Sequence, residues 1–317
     1  MTDWQPTASI ATLEVRARML RAAREYFTAT RALEVETPTL SVAAVTDVHL
    51  ASIASTALQQ RRFLHTSPEY AMKRLLAAGC GDIWQLCRVY RDEESGRWHN
   101  PEFTLLEWYR IGMDHHALMG DVERLVTTLL PASRHSDRAE RLSYRDAMQL
   151  HAGVDALDDP SAVLIARLHS AGIDVPAGLH QDRDACLDLL MSTLVGPQLG
   201  HDRLTFIFDY PASQAALARV HGRVASRFEA YLDGIELANG FHELVNAQEQ
   251  RSRFQQDLRE RERRGLPAVP VDEAFLAALQ AGLPDCSGVA LGFDRLVMCA
   301  TGAKHIDEVL AFPFGRA

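Results

Sequence analysis

The chain has 317 residues and a formal net charge of −9, from 33 Lys and Arg against 42 Asp and Glu. With 47% hydrophobic residues it can build one large or two ordinary domains, and its acidic balance disfavours an extended nucleic-acid-binding surface. No stretch approaches the roughly 20 apolar residues of a membrane span, and the five cysteines include no CxxC pair. We therefore expect a globular cytoplasmic protein with reduced thiols and no membrane association.

The pattern of apolar residues predicts helices and strands that do not alternate regularly. Helices are predicted at 12–31, at 68–78 with Ser67 as N-cap and Gly79 just past the end, at 251–264, and from about 294. Strands are predicted at 33–38, 83–93, 103–109, 204–210, 231–246 and 286–292. This order favours an α+β fold with an antiparallel sheet flanked by helices. We expect a single domain over 1–317, with a mainly helical insertion or cover layer at about 113–200 that carries no catalytic cluster.

Common nucleotide-binding and catalytic motifs are missing from the sequence. It contains neither GxxxxGK[ST], which excludes a P-loop, nor the GxSxG nucleophile elbow. Gly79 and Gly81 lack the third glycine of a dinucleotide fingerprint. His242-Glu243 begins an HExxH pattern that Asn246 breaks. Any nucleotide site must therefore bind the phosphate groups through a different arrangement of residues.

The segment 234–244 predicts a β-hairpin. Asn239-Gly240 between alternating runs is typical of a type I′ turn, and this turn places Glu236 directly opposite Glu243. Opposed Cβ atoms are about 5 Å apart, so the two carboxylates would repel each other. Mg²⁺ or a substrate ammonium between them would remove the repulsion. A solvent-facing pair relieved by water or arginine remains the alternative.

Two further strands direct polar or small residues to one face. Period two in 83–93 places Gln85, Arg91 and Glu93 together, and spacing alone favours a surface ion pair over a phosphate-binding guanidinium held by Glu93. In 286–292, Gly288, Ala290 and Gly292 alternate along the strand and leave one of its faces almost bare. Such a row indicates close approach by a ligand or another backbone, with tight packing as the alternative. Asp294 is a candidate cap for the following helix.

Together these segments resemble the class II aminoacyl-tRNA synthetases. Residues 90–93 with 99–104 resemble the second signature, 288–295 the third, and 35–38 the first, which in that family lies at the dimer interface. Segment 67–70 and the Glu236–Glu243 pair are closest to the lysyl branch. The catalytic domain begins almost at Met1, without the N-terminal OB-fold of lysyl-tRNA synthetases. That absence, the segments 208–214 and 286–290, and Ala290 in place of a glycine are similar to the elongation factor P–(R)-β-lysine ligases.

The resemblance implies a six-stranded antiparallel sheet, a homodimer, and a specific reaction. ATP and (R)-β-lysine would form an aminoacyl-adenylate, and the acyl group would pass to the ε-amine of a lysine on elongation factor P. We expect no stable binding of tRNA. A truncated lysyl-tRNA synthetase that charges RNA is the alternative enzyme, and a non-catalytic nucleotide-binding paralogue is the alternative of a different class.

The resemblance also implies a role for each matched residue. Arg91 would grip the α-phosphate and be oriented by Glu93, while Phe103 and Arg295 would sandwich the adenine. Arg91, Glu93 and Arg295 are the implied catalytic residues. The implied ATP site consists of Arg91, Asp92, Glu93, Asn100, Phe103, Glu236, Leu237, Gly292 and Arg295. The implied amino-acid pocket consists of Ser67, Pro68, Glu69, Tyr109, Glu243 and Ala290. Glu236 and Glu243 would ligate Mg²⁺.

Overall fold

The computed structural model describes residues 4–92, 94–131, 138–179, 182–201 and 203–317. The described α-helices are α1 (Ile10–Ala29), α2 (Glu69–Ala77), α3 (His115–Leu129), α4 (Tyr144–His151), α5 (Ser161–Ser170), α6 (Arg183–Leu190), α7 (Ala247–Arg263), α8 (Glu273–Gly282) and α9 (Phe293–Thr301). The described strands are β1 (Leu33–Glu34), β2 (Leu40–Ser41), β3 (Ala54–Ala57), β4 (Gln60–Leu64), β5 (Ile83–Tyr90), β6 (Glu102–Ile111), β7 (Glu140–Ser143), β8 (Thr205–Pro211), β9 (Val220–His221), β10 (Val224–Leu232), β11 (Ile235–His242) and β12 (Cys286–Gly292). None of these helices is both long and apolar enough to cross a membrane.

A large mixed sheet organises the fold. Its strand order is β1-β5-β6-β12-β11-β10-β8-β7, and β9 pairs with β10. The six strands from β5 to β8 in this order pair antiparallel, as predicted. The sheet is larger than the predicted one because β1 joins one edge and β7 the other, both in parallel. A separate three-stranded sheet, β2-β4-β3, was not predicted from the sequence.

One face of the large sheet carries the main hydrophobic core. Trp108 of β6 and Leu291 of β12 point to this face, where they pack with Phe27 of α1 and with α3 and α9. Because side chains alternate along a strand, the residues next to Trp108 on β6 and next to Leu291 on β12 point to the opposite face. There, α2 and α8 cover only one end, and their contact includes stacked rings of Tyr70 and Phe275 at 4.8 Å. The rest of this face forms the floor of a cleft.

The mainly helical segment packs around a second core. Tyr144 of α4, Leu164 of α5 and Leu187 of α6 are buried there against Ile207 of β8. Helix α3 instead belongs to the main core, so the separate helical layer begins at α4, later than the predicted start near 113. The segment also contains a strand, β7, which extends the large sheet.

The helix termini follow local capping chemistry. Ser9, Asp114 and Asn246 accept hydrogen bonds from backbone N–H groups in the first turns of α1, α3 and α7. At α2 the N-cap position is Pro68 rather than the predicted Ser67, although the Ser67 hydroxyl still accepts from the N–H of Glu69 at 3.0 Å.

Candidate active site

The bare sheet face forms the floor of a cleft of about 1830 Å³. Most of the predicted site residues line it: Ser67, Pro68, Glu69, Arg91, Asn100, Phe103, Tyr109, Glu236, Leu237, Glu243, Ala290, Gly292 and Arg295. Asp92 does not line it, since it is exposed and its N–H donates to the carbonyl of Ala51. Glu93 lies outside the described residues. The cleft therefore brings together side chains that are more than 200 positions apart in the sequence.

Arg91 lies at one end of the cleft, just past the end of β5. Its guanidinium carbon sits 5.0 Å from the centre of the Phe103 ring, and Nη1 is 3.4 Å from the Glu94 carboxylate. Cation–π contact and the carboxylate restrict the orientation of the guanidinium while leaving donors directed to the cleft. The prediction that Arg91 belongs to the strand face is thus wrong in detail, because the ladder ends at Tyr90.

Arg295 is held from three sides. It donates to the Glu236 carbonyl at 2.8 Å, to the Trp98 carbonyl at 3.3 Å and to His99 Nε2 at 2.7 Å. Burial, and then the charge of Arg295, lower the pKa of His99, which keeps that ring a neutral acceptor. An arginine fixed in this way presents a planar cationic surface. Because its side chain is already ordered, binding of a ligand costs little further side-chain entropy.

Asn100 and Asp294 support the Arg91–Arg295 end of the cleft through the backbone. Asn100 donates to the Glu102 carbonyl at 2.6 Å and accepts from the N–H of Phe314 at 3.0 Å. Asp294 does not cap α9, whose N-cap is Gly292. Its buried carboxylate instead accepts from the N–H of Thr104 at 2.7 Å and pairs with Arg16. It therefore locks the start of α9 to β6.

The predicted hairpin turn at Asn239-Gly240 is wrong. Both residues lie within β11, and the turn is at Asp233 and Gly234, with φ of 53° and 73°. Positive φ at two consecutive residues is what a type I′ turn requires, and Asp-Gly meets it as well as Asn-Gly does. Gly240 serves packing: a Cβ atom there would lie 2.5 Å from the Phe228 ring.

With the turn at Asp233-Gly234, the two carboxylates that were predicted to share Mg²⁺ lie at the two ends of one strand, far apart. Seven residues of extended strand span roughly 20 Å, so Glu236 and Glu243 cannot ligate one ion. The acidic neighbour of Glu236 is Glu229 on β10, two residues from Tyr231, which pairs with Glu236. Partial burial, and then the charge of Glu229, raise the pKa of Glu236. Two carboxylates on adjacent strands are candidate ligands for a hard cation that prefers oxygen.

Glu229 is held in place by its own partners. Arg227 Nη2 lies 2.5 Å from one carboxylate oxygen, and the Tyr231 hydroxyl donates to the other at 2.6 Å. Arg227 in turn stacks over the Tyr210 ring at 4.4 Å. Glu229 was not predicted from the sequence, and it lies two residues before the predicted strand 231–246. The missed turn at Asp233-Gly234 concealed that the two belong to adjacent strands.

The other end of the cleft contains a buried charge cluster around Lys73. Lys73 Nζ lies 2.6 Å from Glu69 and 2.5 Å from Glu243, and the side chains of Lys73 and Glu243 are each 1% exposed. Burial opposes charging of Lys73, but Glu243 and Glu69 raise its pKa above the ordinary value. Burial raises the pKa of Glu243 to about 7 even though Lys73 opposes this. Lys73 was not among the site residues predicted from the sequence.

Glu107 completes this cluster. It accepts a hydrogen bond from the Tyr109 hydroxyl at 2.7 Å, while its second oxygen is buried without a hydrogen-bond partner among the described residues. Burial, and then the charge of Glu69, raise its pKa to about 8. A buried carboxyl group with a free oxygen is a ready acceptor for a substrate ammonium. Alternation along 103–109 puts Glu107 on the same face as Phe103 and Tyr109, but Glu107 was not among the predicted site residues.

The row of small residues on β12 has three different explanations. At Gly288 a Cβ atom would lie 2.2 Å from the Tyr109 ring and 2.5 Å from the Glu243 carboxylate, so both groups need this glycine. Ala290 lies between Glu107 and Asn239 in the register of the sheet and lines the cleft. At Gly292 a Cβ atom would meet only Arg295, at 3.5 Å, so close approach does not require glycine there.

The helical segment, which was predicted to carry no catalytic cluster, supplies one wall of the cleft. Asp188 of α6 lines the cleft and accepts a hydrogen bond from Gln214 at 2.7 Å. Burial raises the pKa of Asp188 to about 6. Asp182 and Asp184 line the same wall.

Comparison with known proteins identifies the family. The profile of "tRNA synthetases class II (D, K and N)" matches residues 2–316. An elongation factor P–(R)-beta-lysine ligase of Vibrio cholerae serotype O1 is 49% identical, covering 100% of this chain and 99% of the relative. Proteins of the same name from Klebsiella pneumoniae subsp. pneumoniae and Vibrio parahaemolyticus serotype O3:K6 are 51% and 48% identical, each over 99% of this chain and 98% of the relative. The chain belongs to the elongation factor P–(R)-β-lysine ligase family.

Membership of this ligase family confirms the resemblance and the α+β class predicted from the sequence. In the fold of this ligase-family chain, the segments that carried the resemblance meet at one place. Residues 90–92 and 99–104 border β5 and β6, and 288–295 span β12 and the start of α9. Strands β6 and β12 are neighbours in the sheet, which is why these segments line one cleft.

Proposed function

We propose that the protein activates (R)-β-lysine with ATP and transfers it to a lysine ε-amine of elongation factor P. In the first step an oxygen of the substrate carboxylate attacks the α-phosphorus, the bond from that phosphorus to the bridging oxygen breaks, and pyrophosphate leaves. In the second step the neutral acceptor amine attacks the acyl carbon, AMP leaves, and the amine releases a proton. Neither step needs a side-chain nucleophile, so catalysis rests on position and charge.

The cationic end of the cleft suits ATP. A nucleoside triphosphate would meet the two guanidinium groups of Arg91 and Arg295 and the aromatic face of Phe103. Glu229 and Glu236 are the residues that would hold Mg²⁺, which supplies neutralisation of charge on the triphosphate when it is bound. Glu243 takes no part in this proposed metal site.

The acidic end suits a diamino acid, and this charge balance carries the proposal. Glu69, Glu107 and Glu243 surround the single ammonium of Lys73. Substrate ammonium groups would displace the protons that Glu107 and Glu243 hold. Three ionised carboxylates and one ammonium then leave two negative charges, which match the two ammonium groups of a lysine isomer. Ser67 and Pro68 border Glu69 at this end. Ala290 and Tyr109 shape the floor where the carbon backbone of the substrate would lie.

We further propose a homodimer in the cytoplasm, with a protein rather than tRNA as acceptor. Leu33, Leu40 and Val42 are exposed apolar side chains beside the segment 35–38, and they suit an interface between two copies. The acidic net charge of −9 supports a protein acceptor. The printed names of the relatives support elongation factor P as that acceptor.

ATP–pyrophosphate exchange driven by separate lysine isomers tests the activation step. We expect (R)-β-lysine to drive exchange best and Arg91→Ala to abolish exchange without unfolding the protein. Arg88→Ala is the matched control, because Arg88 is an exposed arginine on the same segment whose nearest carboxylate is 3.6 Å away. Near-normal exchange by folded Arg91→Ala would contradict the role of Arg91. No exchange with any isomer would favour the non-catalytic paralogue.

A further inference from the structure

A second cluster of chemically active side chains lies on the sheet face opposite the cleft. His115 and His116 begin α3, and Asp209 lies on β8. One ligand atom from each of the three residues lies within 4.8 Å of the other two. The two imidazole rings are 4.1 Å apart between centroids. None of the three residues lines the cleft, so the cluster is separate from the proposed active site.

The environment of His115 indicates a missing partner. The residue is 7% exposed, and neither of its ring nitrogens makes a hydrogen bond among the described residues. Native proteins rarely bury both nitrogens of an imidazole without partners. Each buried nitrogen loses its hydrogen bonds to water, and without a replacement this loss costs free energy. Nε2 nevertheless points toward Asp209, whose Oδ1 is 3.4 Å away.

The spacing of these two atoms is that of two ligands on one metal ion. Ligands at about 2.1 Å from a tetrahedral Zn²⁺ are about 3.4 Å from each other. The observed 3.4 Å between Nε2 and Oδ1 equals this edge and exceeds the usual length of a hydrogen bond. His116 is exposed, so its ring can turn to supply the third ligand and leaves the fourth position to water.

We propose that His115, His116 and Asp209 bind a divalent transition-metal ion, with Zn²⁺ as the best fit. Two imidazoles and one carboxylate are typical ligands of Zn²⁺, whereas Mg²⁺ prefers oxygen ligands alone. The ion would tie the start of α3 to β8, two elements that are distant in sequence. Its predicted role is therefore to stabilise the fold, by an amount that grows with the ratio of free metal to dissociation constant.

Metal titration of the full chain tests this proposal. The chelator-treated protein is titrated with Zn²⁺ by calorimetry, and with Co²⁺ by visible absorption, in excess Mg²⁺ to occupy the proposed Glu229–Glu236 site. We expect one equivalent of Zn²⁺, a Co²⁺ spectrum of tetrahedral type, and a higher melting temperature with Zn²⁺. His116→Gln should weaken Zn²⁺ binding by more than about tenfold, the loss that even outer-shell substitutions produce.

Two variants separate metal binding from an ordinary ion pair. His116→Gln changes an exposed residue and should leave the melting temperature of the metal-free protein unchanged, whereas His115→Gln also removes the contact with Asp209. His221→Gln is the control, because His221 is exposed on β9 and outside the cluster. Unchanged Zn²⁺ affinity in His116→Gln and His115→Gln would overturn the proposal. The proposal would also be overturned if the metal-free protein bound neither Zn²⁺ nor Co²⁺. His115 and Asp209 would then be an ordinary ion pair.

Discussion

Lys73 and Glu243 form an ion pair of 2.5 Å at the closed end of the cleft, and both side chains are almost entirely buried. Glu69 contacts the same ammonium at 2.6 Å, and Glu107 and Tyr109 stand beside it. Such a pair contributes little net stability relative to an apolar pair, but loss of one partner leaves a buried charge without compensation. Lys73 therefore makes it possible to keep several carboxylates in the pocket that we propose binds the ammonium groups of the substrate.

Lys73→Met should destabilise the protein by about 3–5 kcal/mol, because it leaves Glu243 and Glu69 without their cation. The measurement is the free energy of unfolding in urea. Lys304→Met is a matched control, since Lys304 is the only other lysine of the chain and is exposed; it should change stability by less than about 0.5 kcal/mol. Adding Glu243→Gln to Lys73→Met should restore part of the loss. Equal stability of the two single variants would contradict the account of the cluster.

The raised pKa values of Glu107 and Glu243 predict how stability depends on pH. Both groups have an ordinary pKa of 4.5, raised to about 8 and about 7 in the folded protein. The folded protein therefore keeps protons that the unfolded chain has released, and the free energy of unfolding falls as pH rises through this window. Each group contributes a slope of at most about 1.4 kcal/mol per pH unit.

Glu107→Gln should flatten this decline, most clearly between pH 7 and 8, where Glu107 is the one of these two carboxyl groups that still titrates. Urea unfolding at a series of pH values measures the slope. Glu102→Gln, at the exposed start of the same strand, should keep the wild-type slope. If Glu107→Gln declines as steeply as the wild type, another group controls the pH dependence.

The position of Glu229 beside Glu236 predicts which carboxylates set the requirement for Mg²⁺. Glu229→Gln and Glu236→Gln should each raise the Mg²⁺ concentration needed for half-maximal pyrophosphate exchange. Glu243→Gln should instead raise the KM for the amino acid and leave the Mg²⁺ dependence unchanged, because it lies at the other end of β11. A Mg²⁺ requirement that shifts with Glu243→Gln and not with Glu229→Gln would restore the original pairing.

Ala290 is predicted to select between lysine isomers. Its methyl group lies on the cleft floor between Glu107 and Asn239, where the backbone of an α-amino acid would bring its amino group close to β12. One methyl group in a tight pocket changes discrimination by about 1–3 kcal/mol, or roughly 10–200-fold. Ala290→Gly should improve α-lysine relative to (R)-β-lysine by a factor in this range, measured as the ratio of kcat/KM in pyrophosphate exchange.

Gly288→Ala is the steric control for this experiment. A Cβ atom at Gly288 would overlap Tyr109 and Glu243, so this variant should lose activity with every isomer rather than change preference. An unchanged ratio in Ala290→Gly would make Ala290 a packing residue and assign selectivity to another part of the pocket.

The sequence predicted the sheet well because its strands have strong periodic signals. Strands β6, β8 and β12 lie within a few residues of their predicted bounds, and the glycine at 288 marks a close approach as expected. The hairpin was misplaced because two turn-forming dipeptides, Asp233-Gly234 and Asn239-Gly240, occur six residues apart. Only the tertiary contact of Gly240 with Phe228 explains why the second one is not a turn.

The charge cluster was missed for a related reason. Lys73 lies four residues after Glu69, which on a helix is equally typical of a solvent-exposed ion pair. In the structure Lys73 is buried against Glu243, which is 170 positions away in the sequence and lies directly after the end of β11. Asp294 was likewise predicted as a local cap, whereas its partners are Thr104 and Arg16, both far away in the sequence.

The most direct test of the proposed function is mass spectrometry of elongation factor P after incubation with the protein, ATP, Mg²⁺ and one lysine isomer at a time. We predict that one lysine of elongation factor P gains the mass of a single lysyl group, most completely with (R)-β-lysine, and that bulk tRNA in a parallel reaction gains none. Unmodified elongation factor P together with efficient acylation of tRNA would contradict it and favour the truncated lysyl-tRNA synthetase.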